Sequence, residues 1–542
     1  MAVKKVLKSL VLTDSAGKVR SLKKFLGNSY TVMSTEGFLK DLPKSRIGID
    51  ENYQPDYITV RGKGTLLAEL RKATLNARRI FLATSPNLRG EFLARQLCEV
   101  FGVNPNSNCR MFFEEMTRAA VKNSLENARP IDDKLADAFQ AKQLIDKFVS
   151  QKVGDYLSFK IYRGVKVGRF RAMLLNLIND FQPIENISLD KNFSYAALQI
   201  LAAQKLNFSS GKTRLITEQL FEGINFEKAG YGGLIACPDG GIKLSSENRA
   251  PETVKDYLTE NQFKLYDLIY SHVSGEKISA PADCSELSMM IKLESLGVDW
   301  ADVLAIGIAS LLKRKYITSE NSVLKMTELG RRVLNSVNEF FGEDFSVDSY
   351  KKISAQVKNI SEGNAEKNSV IKNYCDNFNK NFDKAMSEFG EDAKPQDEPD
   401  VFSDEVCDKC GRPMLIKHGR YGFFLACSGY PDCQNVKPYV NYLEQKCPKC
   451  GERLTKRDFG RGRTLYRCEH YPNCDFQTWD NPQNTPCKVC GATMFTHKFK
   501  TGASMFYCGN ESCPSREDHP INKIIAEYKK RSDSRKKAAK KD

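Results

Sequence analysis

The sequence predicts a multidomain protein: a small α/β domain at the N-terminus, a mainly α-helical core, and three zinc ribbons at the C-terminus. Three observations carry this reading. The chain has 542 residues, more than one hydrophobic core usually organises. Strand and helix patterns alternate near the N-terminus and then give way to helical patterns alone. Finally, 12 of the 17 cysteines lie between Cys407 and Cys513, in three repeats of one spacing.

Composition narrows the class. Hydrophobic residues make up 41% and charged residues 27% of the chain, ordinary for a globular protein, and no apolar run approaches the roughly 18 residues that span a bilayer. An integral membrane protein is excluded on that pattern. Lys8 interrupts the first apolar stretch and Asp14 follows before any small-residue cleavage site, so no signal peptide is expected and a cytoplasmic location is.

The N-terminal domain is expected over residues 1–125. VLKSLVLTDSAGKVRSLKKFLG reads as a buried strand, a loop and a helix with Val19, Leu22 and Phe25 on one face. A second strand and helix follow at RRIFLATSPNLRGEFLARQLCEVFG. Such alternation argues for a parallel sheet whose ligand sites lie in the loops after its strands. Residues 126–388 form the helical core, as in DDKLADAFQAKQLIDKFVSQKV and YAALQILAAQKLNF. Residues 389–404 are acidic, carry prolines and lack apolar spacing, which marks a linker.

The ribbons are expected at 405–440, 441–482 and 483–520. Their cysteines are Cys407, Cys410, Cys427 and Cys433; Cys447, Cys450, Cys468 and Cys474; Cys487, Cys490, Cys508 and Cys513. Each C-x2-C turn offers two thiolates on one edge and a second short loop supplies two more, the tetrahedral set that structural zinc takes. Units this small bury too little core to fold alone, so the metal supplies folding free energy directly. The other five cysteines, Cys98, Cys109, Cys237, Cys284 and Cys375, stand singly.

Charge follows the same division. The net charge is +15, of which residues 401–542 supply +10. Between the paired cysteines, basic and aromatic residues interleave: Lys417, Arg420, Phe423; Arg461, Arg463, Tyr466; Lys498, Lys500, Phe506. Aromatic faces stack on bases while Lys and Arg neutralise phosphates, so this mixture suits single-stranded nucleic acid. Residues 521–542 form a basic, low-complexity tail expected to be disordered.

Several segments, in order, resemble bacterial type IA DNA topoisomerases: KFLGNSYTVMSTEGFLKDLPKSRIGID, YITVRGKG, RRIFLAT with RGEFLARQL, FQAKQLIDKFV, VKVGRFRAMLLNLI, LNFSSGKTRLITEQLFEGI, MTELGRRVLNSVNEFF, GRYGFFLACSGYPDC and NCDFQTWDNP. The resemblance implies that the N-terminal domain is TOPRIM-like, that the core holds single-stranded DNA, and that an active member would cleave one strand with a tyrosine, assisted by a glutamate and an acidic cluster that binds Mg2+. Those residues are largely replaced. Asp14 stands at the glutamate position, and the acidic cluster reads Ser85, Asn87, Arg89 and Glu91, in which only Glu91 keeps an acid. Cys237 stands at the tyrosine position, Asp239 at an arginine position, and Phe38 at a histidine position. Hard Mg2+ wants carboxylate oxygens, so Mg2+ is not expected at this centre.

The resemblance also implies a strand-rich arch, which here has room only for short connectors, DFQPIENISLDK and SGEKISAPADC. The arch is expected to be missing. Phosphate contacts are expected to persist at Lys166, Arg169 and Arg171 in VKVGRFRA and at Lys44 and Arg46 after the DLP turn. The resulting expectation is a catalytically degenerate DNA-binding protein that prefers single-stranded or underwound DNA and carries structural zinc. Two alternatives stay open: an active topoisomerase or nickase with a rearranged site, and a zinc-ribbon docking protein for transcription or replication machinery.

Overall fold

The apolar run at residues 10–12 becomes the middle strand of a parallel sheet. In the computed structural model, Ser9–Thr13 lies between Tyr30–Ser34 and Ile80–Leu82, parallel to both. Leu10, Val11 and Leu12 are all buried, as a strand covered on both faces requires. The structure describes residues 7–522 apart from 184–186, 189–192, 228–229, 238–240, 273–276, 279, 391, 398, 400, 420–421, 459–463, 499–503 and 517–518. It divides into two units, Met1–Glu398 and Pro399–Asp542.

Two helices begin directly after these strands. Ser15 caps Ala16–Leu26 by accepting from the Gly17 amide, and Leu22 and Phe25 turn into the core. Asn87 caps Leu88–Phe101 through the Gly90 amide at 2.8 Å. The turn between Ile80–Leu82 and this helix is tight: a Cβ on Gly90 would lie 1.9 Å from the Ser85 carbonyl oxygen. Both strand ends therefore deliver short, fixed loops to one edge of the sheet.

The helical body is built on Asp133–Lys160, whose first turn Asp132 caps by accepting from the Lys134 and Leu135 amides. Leu88–Phe101, Val347–Glu362 and Lys367–Met386 pack along it. Ser and Thr caps at Ser194, Ser209 and Thr327 start three further helices, each satisfying amides that would otherwise lack partners. The two connectors expected in place of an arch meet each other. Ile187–Ser188 pairs antiparallel with Lys277–Ile278, and among the described residues no other regular structure lies between the flanking helices. No helix among them is long and apolar enough to cross a membrane.

The segment expected as a free linker is partly held. The Gln396 amide donates to the Ser158 carbonyl and its own carbonyl accepts from the Arg163 amide, each at 2.8 Å. Its acidic, proline-containing composition gave no sign of these backbone bonds.

Among the described residues of the second unit, the first two ribbons are four-stranded antiparallel sheets and the third has three strands. The first opens with Val401–Val406. The second and third share a core in which Leu454, Phe495, Tyr507 and Ile521 are buried together. Asp480 joins them, accepting from the Tyr507 hydroxyl at 2.7 Å and pairing with His497 at 2.8 Å.

Candidate functional site

The loops at the end of the parallel sheet bring Asp14, Lys18 and Ser85 into one closed set. Asp14 follows Ser9–Thr13, and Lys18 lies one helical turn later, so its ammonium folds back to Asp14 Oδ1 at 2.8 Å. The other carboxylate oxygen, Oδ2, accepts from the Ser85 amide at 3.1 Å and the Ser85 hydroxyl at 2.6 Å. Lys18 also donates to Ser85 Oγ at 2.8 Å. Burial alone would raise the Asp14 pKa, but the Lys18 charge and the hydrogen bonds from Lys18 and Ser85 outweigh it and hold the group at about 2. Beside them the Glu222 carboxylate accepts from the Ser15 hydroxyl, and burial pushes its pKa up.

Glu91, the acid that the sequence kept in its cluster, is taken up by other partners. Its side chain is 0% exposed, as is that of Arg110. One oxygen accepts from Arg110 Nε at 2.9 Å and Arg129 Nη2 at 3.1 Å; the other accepts from Arg129 Nη1 at 3.0 Å and the Asp132 amide at 2.8 Å. Burial opposes its charge, yet the two guanidinium groups and the amide hold its pKa below the ordinary value. Asn87 is spent on the helix cap, and Arg89 lies over the Phe38 ring at 5.0 Å.

These residues do not fit a divalent cation. Every oxygen of Asp14 and Glu91 is already engaged by a cation or an N–H or O–H donor. Among the described residues, no three acid, histidine or cysteine ligand atoms converge here. The nucleophile position fits no better. Cys237 follows the strand Ile235–Ala236, and its amide donates to the Glu114 carbonyl at 2.8 Å, which sets it beside the N-terminal sheet. Burial pushes its thiol up to about 12, Lys18 only partly offsetting this and Glu114 adding to it. Tyr231, six residues upstream, lies under the Lys24 ammonium at 4.2 Å from its ring centre. Asp239 lies outside the described residues.

The cysteine sets fit zinc. In each, the four sulfurs lie within 4.8 Å of one another. Nearest pairs are Cys407 with Cys433 at 3.6 Å, Cys410 with Cys427 at 3.3 Å, Cys450 with Cys468 at 3.3 Å, and Cys490 with Cys508 at 3.4 Å. A disulfide would need about 2 Å, whereas four sulfurs at about 2.3 Å from one zinc stand close to these separations. Backbone amides of Gly429 and His470 donate to Cys427 and Cys468, as suits thiolates.

Comparison with known proteins agrees with this anatomy. Residues 9–116 match the Toprim domain, and residues 404–442 and 444–483 each match the topoisomerase DNA binding C4 zinc finger. The full-length topoisomerase I from Thermotoga maritima superposes with a TM-score of 0.59 at 19% identity, over 83% of this chain and 99% of that one. The fold is that of a topoisomerase I.

Within that fold, the expected DNA contacts fare unevenly. Lys44 and Arg46 are exposed, Arg46 pairing with Asp56. Lys166 reaches toward Gln151 Oε1 at 3.5 Å. Arg169, expected as an open phosphate contact, is 3% exposed and paired with Asp146 at 2.8 Å, because Arg169–Asn179 presses its first turn against Asp133–Lys160. Its Nη1 has no hydrogen-bond partner among the described residues, and the side chain lines a cavity of about 200 Å3 with Leu88, Lys142, Asp299, Tyr350, Ser354 and Lys358. Arg171 is partly buried beside Arg314, its Nε also without a hydrogen-bond partner among the described residues.

In the ribbons, Phe423 is exposed as expected. Tyr466 is not: it is 7% exposed and its hydroxyl donates to Asn481 Oδ1 at 2.7 Å, since its strand position alternates inward with Cys468. Arg420, Arg461, Arg463 and Lys500 lie outside the described residues, as does the Lys498 side chain. Among the described residues, the sequence reading missed five exposed rings, Phe402, Tyr430, Tyr442, Tyr471 and Trp479. Tyr430 and Tyr471 occupy matching places in GYPDC and HYPNC, a repeat that could have flagged them. It also missed Lys18, whose spacing of four from Asp14 was the available signal.

Proposed function

We propose that this chain is a DNA-binding protein with a topoisomerase I fold whose Toprim centre no longer cleaves DNA. The observation that carries the proposal is the closed Asp14–Lys18–Ser85 set. It leaves both oxygens of Asp14 engaged, and it lies beside a thiol whose high pKa makes it a poor nucleophile at neutral pH. Nothing in that set would stabilise charge developing on a phosphate or a leaving oxygen, because the Lys18 charge is already matched by Asp14.

Binding has separate support. The match to a DNA-binding zinc finger, the excess of basic residues in the second unit, and exposed aromatic rings on the ribbons suit a strand whose bases are unpaired. Arg467 lies over Tyr471 at 5.1 Å, pairing a phosphate partner with a stacking surface. In the core, the cavity around Arg169 is lined by the basic side chains Lys142, Arg169 and Lys358 against one acid, Asp299, a balance that favours an anion. The location consistent with this role is the cytoplasm.

The test is an anisotropy titration of labelled single-stranded and duplex oligonucleotides across a salt series, with the same samples denatured afterwards to look for covalent adducts. Tighter binding to the single strand, a log-log salt slope of several units, and no adduct are expected. Binding that ignores salt would favour protein docking by the ribbons; an adduct would restore the enzyme reading.

A further inference from the structure

Two of the cysteines outside the zinc sets meet. Cys98 lies in the last turn of Leu88–Phe101, and Cys109 begins the segment that returns to the sheet, its carbonyl accepting from the Leu82 amide at 2.8 Å. A short turn joins them. The amides of Gly102 and Val103 both donate to the Cys98 carbonyl, and the Cys109 amide donates to the Ser107 carbonyl at 2.7 Å. This path brings the two thiols into hydrogen-bond contact, in one apolar cluster with Leu82, Leu93 and Leu97. Both residues are 2% exposed. Their cover is the turn itself, in which Gly102, Asn104, Asn106 and Asn108 are exposed, so a small solute needs only a movement of that turn to reach them.

The contact gives the two thiols different roles. The Cys98 thiol donates to the Cys109 sulfur, which holds the Cys109 pKa below the ordinary thiol value against its burial, with help from Ser107 and the Arg110 charge. The same bond, together with burial, pushes the Cys98 pKa up. Cys284 and Cys375 have burial against them and are pushed up to about 11 and about 12. The thiolate is the reactive form of a cysteine. We propose that Cys98 and Cys109 form a redox pair that a peroxide converts to a disulfide. The Cys109 thiolate attacks one peroxide oxygen; the S–O bond forms, the O–O bond breaks, and the released hydroxide takes a proton from solvent and leaves as water. The Cys98 sulfur then attacks Cys109: the S–S bond forms, the S–O bond breaks, and the departing hydroxide takes the Cys98 proton as a second water. Each sulfur gives up one electron and the peroxide gains two. Glu91, on the same helix as Cys98, is already held by Arg110, the residue after Cys109, so the bridge ties that helix to this segment at a second point.

No lysine or arginine lies between Cys98 and Cys109, so one tryptic peptide, residues 96–110, carries both. The test exposes the full-length, zinc-loaded protein to graded hydrogen peroxide, quenches it in acid, blocks the remaining thiols with N-ethylmaleimide in denaturant and maps the peptides by mass spectrometry. This peptide should become lighter by two hydrogens and lose both maleimide labels at doses that leave Cys284 and Cys375 fully labelled, and dithiothreitol should restore both labels. Cys98→Ser should leave Cys109 as a sulfenic acid that dimedone traps, whereas Cys109→Ser should leave Cys98 as unreactive as Cys284. Oxidation of this peptide no sooner than those carrying Cys284 or Cys375 would overturn the proposal. So would oxidation of Cys109 in the wild type with Cys98 still free, or a bridge that forms only in urea.

Discussion

Replacing Glu91 by Gln keeps the shape of the side chain and removes its charge, which asks whether this acid serves the fold or a reaction. In the structure Glu91 compensates two arginines. Arg110, fully buried, donates to the carbonyl oxygens of Leu82 at 3.3 Å, Thr84 at 3.0 Å and Ser85 at 2.9 Å, fastening the end of Ile80–Leu82 and the loop that follows. Arg129 binds both Glu91 oxygens. Breaking one member of a buried ion pair typically costs about 3 to 5 kcal/mol, because the surviving charge is left without compensation. The Arg110 charge would be the stranded one, so a loss near the upper end of that range is expected. Urea unfolding of Met1–Glu398 within the full chain, followed by tyrosine and tryptophan fluorescence, should show a lower midpoint for Glu91→Gln. Oligonucleotide affinity of the folded fraction should stay within about twofold. A loss under about 1 kcal/mol, or a normal fold with altered response to divalent cations, would refute the structural role.

Four further outcomes follow from the same geometry. Asp14, held at about 2, contributes stability that is fully present above its ordinary value of 3.8 and is lost as pH falls through the folded value. The stability gap between wild type and Asp14→Asn should therefore shrink from about 2 kcal/mol at neutral pH to about 1 kcal/mol near pH 3. The Cys237 thiol, pushed up from 9.0 to about 12, should alkylate with iodoacetamide about a thousandfold more slowly at pH 8 than an exposed free cysteine, because that reaction uses the thiolate; peptide mapping by mass spectrometry measures this. Zinc removal with a thiol-directed chelator should unfold the cysteine ribbons, each of which depends on about 10 kcal/mol or more of metal binding, and abolish their β circular dichroism. Alanine at Tyr430, Tyr471 or Trp479 should each weaken single-stranded binding by about 1 to 3 kcal/mol if its ring stacks on a base, whereas Tyr466→Ala should instead lower ribbon stability by emptying its core.

The readable parts of the sequence are those in which one spacing fixes one geometry. Four cysteines at C-x2-C spacing can close on one ion in few ways, so all three ligand sets were legible to the residue. The parallel sheet was legible because its central strand is apolar on both faces. What escaped depends on which face of an element meets a neighbour. Lys18 reads as a surface lysine until the helix Ala16–Leu26 turns it under Phe221, and Arg169 reads as a groove residue until Asp146 and Tyr350 enclose it. In the ribbons, Tyr466 and Phe423 carry similar patterns, and only strand register tells that one points inward and the other out. The shared core of the second and third ribbons was hidden for the same reason, since nothing in the spacing of Tyr507 tells that its ring stacks on Phe495 and its hydroxyl donates to Asp480.

The most direct test of the central claim is incubation of the zinc-loaded protein with negatively supercoiled plasmid and Mg2+, resolved on an agarose gel. The account predicts an unchanged distribution of topoisomers at protein concentrations that fully shift single-stranded DNA. A ladder of relaxed topoisomers that vanishes in Cys237→Ala would contradict it.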